Sequence, residues 1–117
     1  MPDQVADCVL TLEIERKPEV AVVLLRGRLV AEVSGNFYTR IRQLIPEYKR
    51  IVLDLTSLTH MDSMGLGTLV RLVVSAKSNG CSLELINLGK RIRQLLGVTH
   101  LLGVFTIVGE KGVKLGF

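Results

Sequence analysis

The residues of this 117-residue chain best suited to chemistry stand together in "LTHMDSMGLGTLVRL", residues 58–72. There Asp62 and Ser63 precede Gly65 and a stretch of helical spacing. A serine just before a helix raises nucleophilic catalysis first. That chemistry needs a Gly-x-Ser-x-Gly elbow, and Met61 stands where the first glycine belongs. It also needs a base. His60 and His100 are the only histidines, and neither has an evident third group to orient it. Asp54 and Asp62 are eight residues apart with no further ligand type beside them, too little for a metal. "GLG" at 65–67 lacks the lysine of a phosphate-cradling loop. The expectation is no enzyme: no catalytic residue, no metal and no cofactor.

Ser63 still has physics of its own. If a helix begins there, the free N–H groups of Met64, Gly65 and Leu66 point toward its hydroxyl, as does the positive end of the helix dipole. A phosphate on Ser63 would sit where anions are already favoured. It would add roughly 1.5 to 2 negative charges at neutral pH. Gly65, lacking a side chain, would let another molecule approach closely. Against this stands a plainer role, in which Asp62 and Ser63 only cap the helix. Ser63→Ala should then cost no more than about 1–2 kcal/mol. The short motif leaves both roles open.

The elements around the motif are legible from periodicity. "CVLTLEIER" (8–16) alternates, with Cys8, Leu10, Leu12 and Ile14 on one side: a half-buried strand. "KPE" (17–19) turns the chain, and "VAVVLLRGRL" (20–29) is a second strand, so the two form an antiparallel hairpin. In "VSGNFYTRIRQLIPEYK" (33–49), Phe37, Ile41, Leu44 and Ile45 fall at helical spacing, with Ser34 as the cap and Pro46 as the stop. "IVLDL" (51–55) is short and apolar, as a central strand is. A loop over 56–62 then leads to a helix from about Ser63 to Asn79, its inward stripe Leu66, Leu69, Val70 and Val73, ended by Gly80. "SLELIN" (82–87) is a strand, "KRIRQLLGV" (90–98) a short helix and "VFTIV" (104–108) a last strand. The order predicts one compact α/β domain over 1–117: a mixed, mostly parallel sheet with an N-terminal hairpin and three to four helices. Residues 109–117 are expected to be a tail or a partner contact.

Bulk properties remove other classes. Of the residues, 48% are apolar and 22% charged, and mean hydropathy is +0.39. The longest apolar run, 20–25, is closed by Arg26, far short of the roughly 20 residues a spanning helix needs. The first ten residues carry Asp3 and Asp7 and no basic leader, so the expected location is the cytoplasm. Cys8 and Cys81 lie far apart and read as reduced, buried thiols. The net charge of +4 is uneven, with acids gathered in residues 1–25 and bases in 26–50 and "GKRIRQ" (89–94). Five aromatics, no Trp among them and none alternating with bases, argue against direct nucleic-acid binding.

With these residues in place, "IVLDLTSLTHMDSMGLGTLVRL" resembles the STAS domains of bacterial anti-sigma factor antagonists. The resemblance extends over the hairpin, "GRL" (27–29), the "LDL" strand and the later elements. It implies the STAS fold and a binding module that sequesters a cognate anti-sigma factor, itself a serine kinase (an ATPase of histidine-kinase-like fold), and so frees a sigma factor. It implies further that Ser63 is the phosphoacceptor, reset by a phosphatase, and that Asp62 positions it. Met64, Gly65, Leu66 and Gly67 become the docking surface. Relative to the family's usual small residue, Met64 enlarges the apolar surface beside the hydroxyl. The basic charge, where many members are acidic, implies a partner with an acidic face. STAS-like domains also serve as small subunits of lipid-transport ABC systems, docking on an ATPase, or as small-ligand sensors. The same resemblance leaves those as alternatives.

Overall fold

The computed structural model describes residues 3–5, 9–98 and 105–108. Their order is β1 (Asp3–Val5), β2 (Leu10–Arg16), β3 (Val20–Leu29), α1 (Ala31–Leu44), a 3₁₀ turn (Ile45–Glu47), β4 (Arg50–Met61), α2 (Ser63–Ser78), β5 (Ser82–Ile86), α3 (Lys90–Val98) and β6 (Thr106–Val108). The six strands form one sheet in chain order. β1, β2 and β3 pair antiparallel; β3 to β6 pair parallel. Each parallel connection steps to the next strand in the same direction. Right-handed crossovers then put their helices on one face of the sheet. Accordingly Val33, Phe37 and Ile41 of α1 and Leu66, Leu69 and Leu72 of α2 share one core with Leu12, Val23, Leu25, Ile51, Leu53 and Leu85 of the strands. This is the expected α/β architecture, a mixed, mostly parallel sheet with an N-terminal hairpin, with β1 an addition not foreseen. Cys8, His100 and 109–117 lie outside the described residues, while Cys81 is a free, buried thiol whose pKa burial raises.

Three local expectations are corrected. The segment 56–62 is not a loop, because β4 continues to Met61 with β3 as its partner as far as Leu29↔Met61. The sequence hides this because Leu55 and Leu58 are three apart, which no regular strand can turn to one face. A register shift between them resolves it: from Leu24↔Asp54 to Arg26↔Ser57, β4 advances one residue more than β3, and a second shift of the same kind follows from Gly27↔Leu58 to Arg28↔His60. Such bulges re-phase the strand, so both leucines are buried. Ser34 does not cap α1, which begins earlier, at Ala31. Ser34 is buried and its hydroxyl donates to the Val30 carbonyl at 2.9 Å. In α2 the inward stripe is Leu66, Leu69, Leu72, Val73 and Ala76, with Val70 at its margin.

Candidate functional site

The β3–β4 pair carries the chain to the start of α2, and Gly27 makes the passage possible. It has φ +113°, and a Cβ there would lie 2.2 Å from the Val9 carbonyl oxygen, which accepts the Arg28 N–H at 2.8 Å. Only glycine combines that angle with that approach. Beyond it Thr59 Oγ1 donates to the Gly27 carbonyl at 2.9 Å and lies 3.0 Å from His60 Nδ1. His60 is thus an exposed strand residue paired across from Arg28, and among the described residues its ring hydrogen-bonds Thr59 and no serine.

At the helix start the cap is Asp62, in extended backbone at φ −99°. Its Oδ1 accepts the Gly65 N–H at 2.9 Å, while its Oδ2 accepts the N–H of Ala31 at 2.9 Å. Ala31 is the first residue of α1, so one carboxylate closes the N-termini of both helices. Two positive helix ends therefore converge on it. The Gly65 N–H, assisted by those of Ala31 and Met64 against some desolvation, holds the Asp62 carboxyl below its usual pKa. Asp62 is ionised at neutral pH and its charge is spent on the two caps.

That arrangement corrects the expected role of the Ser63 hydroxyl. The Leu66 N–H bonds the Asp62 carbonyl at 3.0 Å and the Gly65 N–H bonds the carboxylate, so neither serves the serine. Ser63 is the first residue of α2, exposed, and among the described residues its hydroxyl has no hydrogen-bond partner. It is not the cap. Gly65 offers no open approach either: a Cβ would meet the Leu29 carbonyl oxygen at 2.2 Å and Leu29 Cγ at 2.9 Å. The absent side chain lets the first turn of α2 lie directly on the end of β3. Leu66 is buried as well. Met64, at 58% exposure, and Gly67, with nothing within 4 Å of a Cβ, face solvent beside Ser63. Thr68 Oγ1 donates to the Met64 carbonyl at 2.9 Å and holds that turn.

The two aspartates considered as a metal pair are engaged separately. Asp54 Oδ1 accepts the Thr56 hydroxyl at 2.6 Å, the Thr56 N–H at 3.0 Å and Asn87 Nδ2 at 3.1 Å. Burial pushes the Asp54 pKa up, but the Thr56 and Asn87 hydrogen bonds outweigh it and leave the carboxyl below its usual range. Asn87 sits in the left-handed region at φ 57° and ties the end of β5 to β4 through this bond. Among the described residues no three His, Cys, Asp or Glu side chains gather as metal ligands, and no helix is long and apolar enough to cross a membrane. Sequence reasoning missed Ala31 and Leu29, which complete the site. Nothing in residues 58–72 signals partners some thirty positions upstream.

Comparisons with known proteins identify the family and the fold. The family model of the STAS domain matches residues 11–112. The anti-sigma factor antagonist SpoIIAA in its unphosphorylated form superposes with a TM-score of 0.72 at 19% identity, covering 86% of this chain and 90% of that one. The phosphorylated form of SpoIIAA, a Bacillus cell fate determinant, gives 0.67 at 19%, covering 86% and 93%. An anti-sigma factor antagonist from Mycobacterium paratuberculosis gives 0.75 at 19%, covering 89% of each chain. At such identities the likeness is one of fold.

Proposed function

The chain belongs to the STAS domain family, and on that premise we propose that it is an anti-sigma factor antagonist switched by phosphorylation of Ser63. The observation that carries this is the division of labour at the start of α2. Asp62 takes the capping role, and the neighbouring hydroxyl is left exposed and unbonded on a rigid turn. A serine whose hydroxyl does nothing for the fold is free to be modified without disturbing it. A phosphate there is kept from the cap by the Asp62 carboxylate and stays in solvent. It changes the charge of a surface and not its shape.

In this role the unphosphorylated protein docks with Ser63, Met64 and Gly67 against its partner, a serine-kinase anti-sigma factor with a histidine-kinase-like ATPase fold, and thereby releases a sigma factor. Gly65 and Leu66 contribute from beneath, by setting the turn on β3. Phosphate on Ser63 brings a strongly hydrated dianion into a contact built for a hydroxyl and a thioether. A loss of about 3 kcal/mol would weaken binding more than a hundredfold. A phosphatase then resets the surface. No step needs a metal, a cofactor or a catalytic group on this chain.

The experiment is intact mass of the protein isolated from its native cells, with Ser63 located by fragmentation. One added phosphate on Ser63 is expected. An unmodified chain under several growth conditions, co-purifying with a transporter ATPase, would overturn the switch and favour the subunit role. In parallel, Ser63→Asp should abolish binding to the kinase while Ser63→Ala preserves it.

A further inference from the structure

The solvent face of α2 does not end at the Ser63 turn. Ser63, Met64, Gly67, Arg71, Val74 and Ser78 are all exposed, and their spacing puts them on one side of the helix. Met64 and Val74, each 58% exposed, are two of the three large apolar side chains most exposed among the described residues. At 1.5 Å per residue they stand about 15 Å apart, with Arg71 between them. Beside this stripe lies Tyr38 of α1, half-buried, with the Arg71 guanidinium 4.2 Å from its ring centroid. A second guanidinium, Arg42, one turn further along α1, stands over the same ring at 5.9 Å.

Two guanidinium groups held at one ring repel each other, and the ring attraction that holds each is worth only about 0.5–1 kcal/mol at an exposed site. The usual remedy is a carboxylate between them. Several other cations of this chain have one: Arg26 has Glu13, Arg16 has Glu47, Lys49 has Glu19 and Arg50 has Glu84. Among the described residues neither Arg42 nor Arg71 has an acidic partner. Tyr38, Thr39, Arg42 and Gln43 line a shallow hollow at this place. The surface thus offers an apolar contact, a doubly cationic seat and a second apolar contact in a row, running away from Ser63.

From this row we infer that the surface formed by Met64, Arg71 and Val74 with Tyr38 and Arg42 receives an amphipathic helix of a protein partner, with an acidic side chain seated between the two arginines. The occupant is fixed by charge complementarity. Nucleic acid would meet a single pair of cations and no backbone-tracking groove, whereas one carboxylate neutralises the pair and two apolar side chains cover Met64 and Val74. A partner helix lying along α2 would cover them with apolar anchors about three turns apart. The acidic residue fixes the register of the partner along α2 and so selects which partner reaches Ser63. Only the partner's identity depends on the proposed role of Ser63; the seat itself does not.

The test uses ¹⁵N-labelled protein and two synthetic helical peptides. One has leucines about three turns apart with glutamate between them, and the other has glutamine in its place. The glutamate peptide is expected to move the Arg71 and Arg42 side-chain signals and the Met64 and Val74 amides. The glutamine peptide should bind roughly fivefold more weakly, and raising NaCl from about 0.05 M to about 0.5 M should erase that difference. Arg71→Glu should remove the preference while leaving the amide spectrum of the sheet unchanged, and Arg71→Lys should keep part of it. Equal affinity for the two peptides, or signals at Arg71, Tyr38 and Val74 that do not move, would overturn the assignment. Glutamate preference with Ser63 never modified in cells would sink the switch and leave the seat standing. Ser63 phosphate with no glutamate preference would do the reverse.

Discussion

Gly65 and Gly67 lie two residues apart near the start of the same helix, and the structure assigns them opposite signs on replacement by alanine. Any glycine inside a helix forgoes roughly 1 kcal/mol relative to alanine, because its backbone loses more freedom on folding. At Gly67 that gain comes without cost, since a Cβ would meet nothing within 4 Å. Gly67→Ala should stabilise the protein by about 0.5–1 kcal/mol. At Gly65 the same methyl would stand 2.2 Å from the Leu29 carbonyl oxygen and 3.0 Å from its carbon. These are backbone atoms, which cannot rotate aside, and that oxygen also accepts the Asp62 N–H at 3.3 Å. To relieve the overlap, α2 must lift off β3 by more than 1 Å, judged against ordinary contacts of about 3.5 Å. Overpacking of this kind costs about 1–3 kcal/mol, and loosening the Asp62 bonds adds about 1 kcal/mol more. After the helix-propensity gain, Gly65→Ala should destabilise by about 1–3 kcal/mol. Urea unfolding followed by far-UV circular dichroism measures both variants, with midpoints moving in opposite directions at unchanged slope. A neutral or stabilising Gly65→Ala would refute the close packing of α2 on Leu29. It would return Gly65 to the role of an open approach for a partner.

Asp62→Asn should cost about 1–2 kcal/mol at pH 7, because an amide accepts at one atom and presents a donor where the second helix N–H already points. The folded Asp62 carboxyl lies below its unfolded value of about 3.9, so its contribution is complete above that value and is lost as pH falls through the folded pKa. Wild type and variant should therefore converge in unfolding experiments carried into acid, and a gap that persists there would mean the charge is not what caps the helices. Asp54, held low by Thr56 and Asn87, adds a loss of the same sign in the same range. Ser63→Ala should change stability by less than about 0.5 kcal/mol, since no bond is lost; a larger drop in the urea midpoint would show that the hydroxyl supports the fold. Arg50 grips Glu84 through two bonds of 2.7 and 2.8 Å, and Glu84 is 9% exposed. Removing the cation alone, as Arg50→Met, should cost about 2 kcal/mol, and adding Glu84→Met should restore most of it. A double variant no more stable than the single one would contradict that account.

Much of this molecule is written locally. Alternation in 10–16 and the 3.6-residue spacing of Phe37, Ile41 and Leu44 announce strand and helix, because each element buries one side and the side is set by period alone. The same holds for the start of α2: Asp62, Ser63 and the helical pattern that follows identify the turn from its own residues. Local pattern fails where the deciding partner is remote. β4 continues to Met61 because β3 is there to pair with it and the bulge between Asp54 and Ser57 re-phases Leu55 and Leu58. No window of β4 alone carries that information. Which residue caps α2 was open in the sequence because Asp62 and Ser63 are both good caps. Tertiary structure decided it by bringing the Ala31 N–H to the second oxygen of Asp62, a partner only a carboxylate could satisfy together with Gly65. The sequence by itself determined that a helix starts at Ser63. The packing of α1 beside α2 determined that the serine hydroxyl is left over.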